Sequence, residues 1–367
     1  LIFEKYRPLV DLCHVVDDLH DILWETVAEL NTSHSYVSTP GAGGDSDMRA
    51  GLLGADVSSE AGGAKVVRVI PGESSDPHAW SPLRAAGVAI GDGDVIIAVD
   101  GRKIGVDGGL GELLEGSAGR VVELTVRRGE EERRVAVVPM ADEAALRYHD
   151  WVASRRRYVE ERSDGRLGYL HVPDMVSDGW AELHRQIGEA TRHEGVIADV
   201  RFNHGGHTSQ LVVERLARKV IGWDRSRWYA TAVTYPQNAV RGPIVMVTNQ
   251  WAGSDGDIVG AVTQAMGYAK VIGERSWGGV VGIDGRFDLV DGTGVTQPRY
   301  AGWYGDYGWG VENHGVDPDI VVTVSPEDWE SASDVQLDAA IAECLRQLDE
   351  KSAATPPELP GPAFGRC

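Results

Sequence analysis

Ile244-Val245-Met246-Val247-Thr248, then Asn249-Gln250-Trp251-Ala252-Gly253-Ser254-Asp255-Gly256-Asp257, then Ile258-Val259-Gly260-Ala261-Val262-Thr263-Gln264-Ala265 is the stretch that decides the fold. The first run is short, apolar and rich in β-branched residues, as a buried strand is. The last run is apolar and long enough for a buried helix. One serine stands between them, just after Gly253. A hydroxyl at a strand-to-helix turn meets the unpaired N–H groups and the positive dipole end of the helix. An oxyanion is stabilised in such a place. The turn alone leaves two readings open. Either Ser254 or Asp255 caps the helix, or Ser254 is a nucleophile.

The same alternation of strand and helix extends on both sides. Residues 167–172 read as strand, 178–193 as helix, 195–200 as strand, 211–220 as helix and 271–272 as strand. That order predicts a mostly parallel sheet covered by helices, with ligands at the carboxyl ends of the strands. One strand runs into Arg201-Phe202-Asn203-His204-Gly205-Gly206-His207-Thr208. A glycine pair after a strand is a tight turn, or it allows close backbone approach and presents an N–H. The Gly205-Gly206 turn and the Ser254 turn both fall at strand ends, so they are candidates to be neighbours. The glycine turn and the N–H of Asp255 could then each present an oxyanion donor.

Ahead of this region, residues 1–31 read as helical from apolar residues at three- and four-residue spacing. Asn31-Thr32-Ser33-His34-Ser35-Tyr36 follows, a polar loop whose histidine is either solvated or a general base. Residues 39–47 have linker composition. Between 49 and 140, strands at 64–70 and 95–99, a hairpin at 121–138, the Asp100-Gly101 turn and short helices at 81–87 and 109–115 make a compact α+β module. Residues 143–163 form a linking helix. The Pro-rich tail from 355 to 367 reads as disordered.

Composition sets limits. The 367 residues suggest two or three domains. The net charge of -21 argues against nucleic acid or an anionic membrane as the main partner. The three cysteines, Cys13, Cys344 and Cys367, form no CxxC, which argues against a disulfide framework or a zinc site. No apolar run approaches the roughly 20 residues that span a bilayer. No signal peptide is visible. The chain starts at Leu1 without Met, and a fragment or processed product is expected.

Two resemblances give these pieces a common meaning. Ser81-Pro82, Ala86-Gly87, Gly91-Asp92, Ile96 and Val99-Asp100-Gly101 resemble a PDZ domain of the permuted type found in processing proteases. Gly51-Leu52-Leu53-Gly54 resembles its carboxylate-binding loop, although these residues could equally be a turn. The back half resembles the S41 peptidases, whose catalytic domain has a crotonase-like sheet. The matching pieces are the strand-plus-glycine motif from Asp199 to Gly206, the Thr248-Asn249 to Gly253-Ser254 turn, and Gly315-Val316-Asp317-Pro318-Asp319-Ile320.

That family has two branches. Processing peptidases pair the serine with a lysine, but Gly279 in Ser276-Trp277-Gly278-Gly279-Val280 stands where the lysine should be, and Lys270 comes too early. The tricorn branch resembles this chain in Ser33-His34 and in Glu312 of Gly310-Val311-Glu312-Asn313-His314-Gly315. The resemblance implies Ser254 as nucleophile, His34 as base, Ser33 bridging to Glu312, and Gly206 and Asp255 as the oxyanion hole. It also implies that Asp224 of a neighbouring subunit selects basic P1 residues, though Asp224 could instead pair with Arg225 or Arg227. His204, His207 and His314 read as structural or solvated.

The implied protein is a cytoplasmic serine endopeptidase of unfolded peptides, hexameric, without a metal or other cofactor, and working between an upstream protease and downstream aminopeptidases. Its expected architecture is an α/β crotonase-like catalytic domain over 143–352, an N-terminal helical segment over 1–45, a PDZ-like α+β domain over 46–142, and a tail over 353–367. The alternatives are a Ser-Lys C-terminal processing peptidase and a non-catalytic PDZ peptide-binding module.

Overall fold

Five strands lie side by side in the order Ile320–Val321, Lys270–Gly273, Ile244–Thr248, Gly195–Asp199 and Leu167–His171, and every pairing is parallel. The computed structural model that shows them describes residues 1–38, 48–226, 228, 231–331 and 333–358. The three strands nearest the Leu167 edge are buried along their whole length. Such strands need helices on both faces, which is why they read as continuous apolar runs. Leu170, Ala198, Met246 and Val271 share one cluster with Leu183 and Ile187 of helix Ser177–Ala190, Val212 and Leu216 of helix Ser209–Leu216, and Val259 of helix Asp255–Met266. Helix Val335–Glu350 packs on the same strands through Leu337, Ala340, Ile341 and Cys344. A Cβ on Gly195 would come within 2.9 Å of the Cys344 sulfur, so glycine lets that helix approach.

The chain divides into two units, Leu1–Pro40 with Arg156–Cys367, and Gly41–Arg155. The parallel sheet belongs to the first. Val247 pairs with Asp199, so the chain leaves two adjacent strands at the same edge of that sheet. The helix expected at 211–220 is observed at Ser209–Leu216, starting two residues earlier and ending four earlier. Its predecessor closely follows the expected range.

The N-terminal segment departs from a single helical reading. Helices Ile2–Val10 and Val16–Ala28 are separated at residues 11–15. The break has a local cause. The Asp18 carboxylate accepts the N–H of His14 at 2.7 Å and of Val15 at 3.2 Å, satisfying donors at a helix start. Those bonds hold its carboxyl below the usual range. The second helix has no buried residue, so its apolar periodicity does not mark a core.

The second unit is antiparallel. Strands Ala55–Glu60, Gly63–Val69, Val95–Val99, Val122–Arg128 and Glu131–Val137 follow one another across the sheet, with Arg102–Lys103 paired to Val95–Val99. Asp100 and Gly101 both have positive φ, at 48° and 75°, the geometry of a two-residue hairpin turn. Only a 3₁₀ turn, Pro82–Arg84, forms at the first expected helix, and Leu110–Leu113 forms the second. The Gly51–Gly54 loop is tied into the unit. The Gly51 N–H donates to Leu114 O and the Leu52 N–H to Met140 O, both at 2.8 Å. Leu53 is buried. Two of the donors that would hold a peptide carboxylate are thus already engaged, which favours the turn reading of this loop.

The linker at 39–47 and the tail at 359–367 lie outside the described residues, as do Arg227 and Cys367. Residues 355–358 carry no helix or strand, but Ala354 is held by the Arg241 carbonyl at 2.8 Å. Among the described residues no helix is long and apolar enough to cross a membrane. None of them forms a cluster of three His, Cys, Asp or Glu that could hold a metal.

Candidate active site

Ser254 occupies the N-cap position of helix Asp255–Met266 with φ 59° and ψ -120°. A non-glycine residue in this region costs about 1–3 kcal/mol, and surrounding bonds must hold it. They are present. Asn249 Oδ1 accepts the N–H of Phe202 at 3.0 Å and of Trp251 at 3.2 Å. The Gly253 N–H donates to Asn203 O at 3.0 Å. The Ser254 side chain makes no capping hydrogen bond, and the Asp255 carboxylate instead accepts the Ser209 N–H at 3.0 Å. Neither residue caps the helix through its side chain, so the bland reading of this turn does not describe it. Burial raises the Asp255 carboxyl above its usual range, against the pull of the Ser209 bonds.

The glycine turn reaches the serine directly. A Cβ on Gly205 would lie 2.5 Å from that of Ser254, and φ at Gly205 is +77°, so glycine is required twice over. Asn203 is fully buried and shapes this turn. Its Oδ1 accepts the Gly205 N–H at 2.9 Å and its Nδ2 donates to Val172 O at 2.7 Å. Met175 pairs beside Gly206, taking the N–H of His207 and Thr208 on its carbonyl. Among the described residues no hydrogen bond uses the N–H of Gly206 or of Asp255. Both remain available beside the Ser254 hydroxyl.

His34 arrives from the far end of the sequence. Its own φ is 57°. Strand Val37–Ser38 pairs with Gly294–Val295, Thr296 Oγ1 accepts the Tyr36 N–H at 2.7 Å and donates to His34 O at 2.5 Å, and Asn313 Nδ2 donates to Asn31 O at 2.8 Å. These bonds dock residues 31–38 onto 293–313. Ser33 Oγ lies 3.1 Å from His34 Nδ1 and donates to Glu312 Oε2 at 3.0 Å, while the Ser33 N–H donates to Glu312 Oε1 at 2.6 Å. The N–H groups of Val280 and Val281 donate to Glu312 Oε2 at 2.7 and 2.9 Å. Burial alone would raise the Glu312 carboxyl, but these bonds outweigh it and leave it below the usual range. His34 is half-buried. Burial pushes its imidazole below the ordinary value, and the Glu312 charge and the Val281 backbone partly restore it.

A cleft of about 1050 Å³ joins these groups. His34, Gly206, Ser254 and Asp255 line it, together with Trp251, Trp277, Ile258, Val262, Tyr300 and Tyr304. Ser33 and Glu312 stand behind His34. Asp224 is exposed on strand Gly222–Asp224 and is not part of the wall of its own chain's cleft. His204 and His207 are exposed along that wall, and His314 pairs with Asp317 at 2.9 Å.

The alternative base has no room. A Cβ on Gly279 would fall 2.2 Å from the Trp277 ring, and Lys270 is paired with Asp319 at 3.1 Å. Sequence reading overlooked Asp257, which is fully buried in the first turn of the Ser254 helix. Its carboxylate takes a short bond from Ser276 Oγ and the N–H of Gly278 at 2.8 Å and Gly279 at 3.3 Å. The signal was an acid inside an apolar helix, which reads as a simple cap.

Known proteins carry the same pieces. Residues 166–322 match the model for Peptidase family S41, and residues 51–142 match that for the Tricorn protease PDZ domain. Tricorn protease homolog 1 of Streptomyces coelicolor is 55% identical over 362 residues, covering 98% of this chain and 34% of that protein. Tricorn protease of Thermoplasma acidophilum is 40% identical over 349 residues, covering 95% of this chain and 32% of that protein. A crystal structure of the tricorn protease superposes with a TM-score of 0.89 at 39% identity, over 95% of this chain and 34% of that one. The chain thus spans about a third of the length of the curated relatives it matches. With the strand-end serine, the glycine turn and the antiparallel PDZ unit each in its matched segment, the chain belongs to peptidase family S41, on its tricorn branch.

Proposed function

We propose that this chain is the catalytic portion of a tricorn-type serine endopeptidase that acts on unfolded peptides. Ser254 Oγ attacks the peptide carbonyl as His34 takes its proton. The Ser33 hydroxyl donates its hydrogen bond to Glu312, so Nδ1–H donates to Ser33 Oγ and the lone pair of Nε2 serves the nucleophile, while Glu312 stabilises the imidazolium through Ser33. The N–H groups of Gly206 and Asp255 hold the oxyanion. The C–N bond then breaks as His34 returns the proton to the leaving amine. Water, deprotonated by His34, hydrolyses the resulting acyl-enzyme. The single observation that carries this reading is the pair of unengaged N–H groups beside Ser254, in the same cleft as a histidine backed by Ser33 and Glu312.

We propose a homo-oligomer, a hexamer as the resemblance implies, in which Asp224 of a neighbouring copy contributes to the cleft and favours a basic P1 residue. Its exposure and its absence from its own chain's cleft support that placement. Peptides from an upstream protease would be its substrates, and aminopeptidases would consume its products. The test is intact mass after treatment with a serine-directed fluorophosphonate. One adduct on wild type, lost in Ser254→Ala and in His34→Ala, is expected. Labelling that survives in His34→Ala overturns the assignment of the base, and an unlabelled wild type overturns the reading as a hydrolase.

A further inference from the structure

One side chain, Trp277, touches both the Ser254 turn and His34. Trp277 follows Ser276, and its N–H donates to Ala252 O at 2.9 Å. Two glycines form a notch for its indole. A Cβ on Gly253 would meet the ring at 2.7 Å and one on Gly279 at 2.2 Å, so neither position admits a side chain with the ring in place. Gly253 precedes Ser254, and Gly279 precedes the Val280 and Val281 N–H groups that hold Glu312. The ring meets the His34 imidazole edge to face, with centroids 5.6 Å apart and planes at 88°. Tyr36 meets the same imidazole at 5.9 Å and 90°. His34 sits on a loop with left-handed backbone, and apart from its polar bonds these two rings are the aromatic contacts that restrain it. The backbone beneath Trp277 is rigid, because buried Asp257 binds Ser276, Gly278 and Gly279.

We propose that Trp277 is a positioning residue for His34: seated between Gly253 and Gly279, its indole holds the imidazole against Ser254 and keeps water from the pair. The inference rests on the acyl-transfer reading above. Edge-to-face aromatic pairs add orientation as well as buried area, and a base displaced by about 1 Å costs on the order of 100-fold in rate. Trp277 remains 49% exposed and lines the cleft, so a bound peptide also passes over it. A test must therefore separate positioning from substrate contact. The titratable groups that face the imidazole are Glu312, through Ser33, and Tyr36.

The experiment compares wild type, Trp277→Phe, Trp277→Leu and Trp277→Ala. It reads the second-order rate of inactivation by a small fluorophosphonate across pH, with peptide kcat and KM measured in parallel. A small reagent has no peptide to contact Trp277. Its inactivation rate is expected to fall roughly 10- to 100-fold in Trp277→Ala and Trp277→Leu, with Trp277→Phe retaining most of it. The acid limb should move up towards the ordinary imidazole value of 6.5 in the Ala variant, as the imidazole becomes more exposed. Inactivation at the wild-type rate with an unmoved limb, and only KM raised, would show a substrate contact and overturn the inference. Trp277→Leu fills much of the notch without a ring, so wild-type behaviour in that variant overturns it too, even if the Ala variant fails to fold. An unlabelled wild type defeats the hydrolase reading itself, a separate result.

Discussion

Ser33 and Glu312 are 279 positions apart, yet the N–H and the hydroxyl of Ser33 donate to the two oxygens of the Glu312 carboxylate, at 2.6 and 3.0 Å. The same hydroxyl lies 3.1 Å from His34 Nδ1. One small residue therefore ties down a loop and joins an imidazole to a charge. Ser33→Ala removes the hydroxyl bonds and leaves the backbone bond to Glu312. We expect kcat to fall roughly 10- to 100-fold with KM little changed. Steady-state kinetics on a peptide substrate check this, and an unchanged kcat would remove Ser33 from the relay.

Glu312→Gln should cost both activity and stability. The carboxylate accepts four hydrogen bonds, two from Ser33 and one each from Val280 and Val281. An amide turns one acceptor into a donor aimed at other donors, at about 1–3 kcal/mol. Chemical denaturation monitored beside kcat/KM would measure the two losses separately. A variant as stable as wild type would show that the loop relaxes around the amide.

The pH profile has a defined direction. In the proposed mechanism His34 must be neutral to accept the serine proton, and burial places its imidazole below the ordinary 6.5. Activity should rise through a pH lower than that value and stay level above it. The stability sign agrees. A histidine with a depressed folded pKa binds protons more readily when unfolded, so stability falls as pH drops below the unfolded value and through the folded one. The depressed Glu312 carboxyl acts the same way at lower pH, its contribution being lost as pH falls from its ordinary 4.5 through the folded pKa. An acid limb at or above the ordinary imidazole value would contradict the burial of His34.

Gly205→Ala tests the contact between the two strand-end turns. Its methyl would meet Ser254, and its positive φ disfavours any side chain. We expect fluorophosphonate labelling to slow by at least about tenfold, as the serine or its oxyanion donors shift. Gly267→Ala, also at positive φ but with open space around its Cβ, is the control for backbone strain alone. Equal losses in the two variants would mean that strain, not contact with Ser254, is responsible.

Asp224→Asn should leave labelling of Ser254 unchanged, because Asp224 stands outside its own chain's cleft. Cleavage after Arg or Lys should weaken relative to cleavage after apolar residues. Profiling against a P1 peptide library checks this. An unaltered P1 profile would leave Asp224 as a surface residue of the hairpin.

The sequence by itself determined the elements. Apolar β-branched runs at 195–199 and 244–248 have few options other than buried parallel strands, and Asp100-Gly101 has few other than a tight turn. The Ser254 turn and the glycine pair were legible for the same local reason, since both interrupt strong strand patterns. Residue pattern alone left His34 undecided, and it was likeness to a family that singled it out. Tertiary structure decided the rest. Local propensity does not encode which carbonyl takes the Leu52 N–H, so only the folded unit shows the Gly51–Gly54 loop already tied. The apolar spacing of residues 16–28 fits a helix, yet only the fold shows that none of its side chains is buried. Asp257 and Trp277 were invisible as parts of the site because their importance lies in what meets them. For Asp257 those partners are the donors of Ser276, Gly278 and Gly279 in the loop after its helix, and for Trp277 the imidazole of His34 from the start of the chain, and tertiary folding places both.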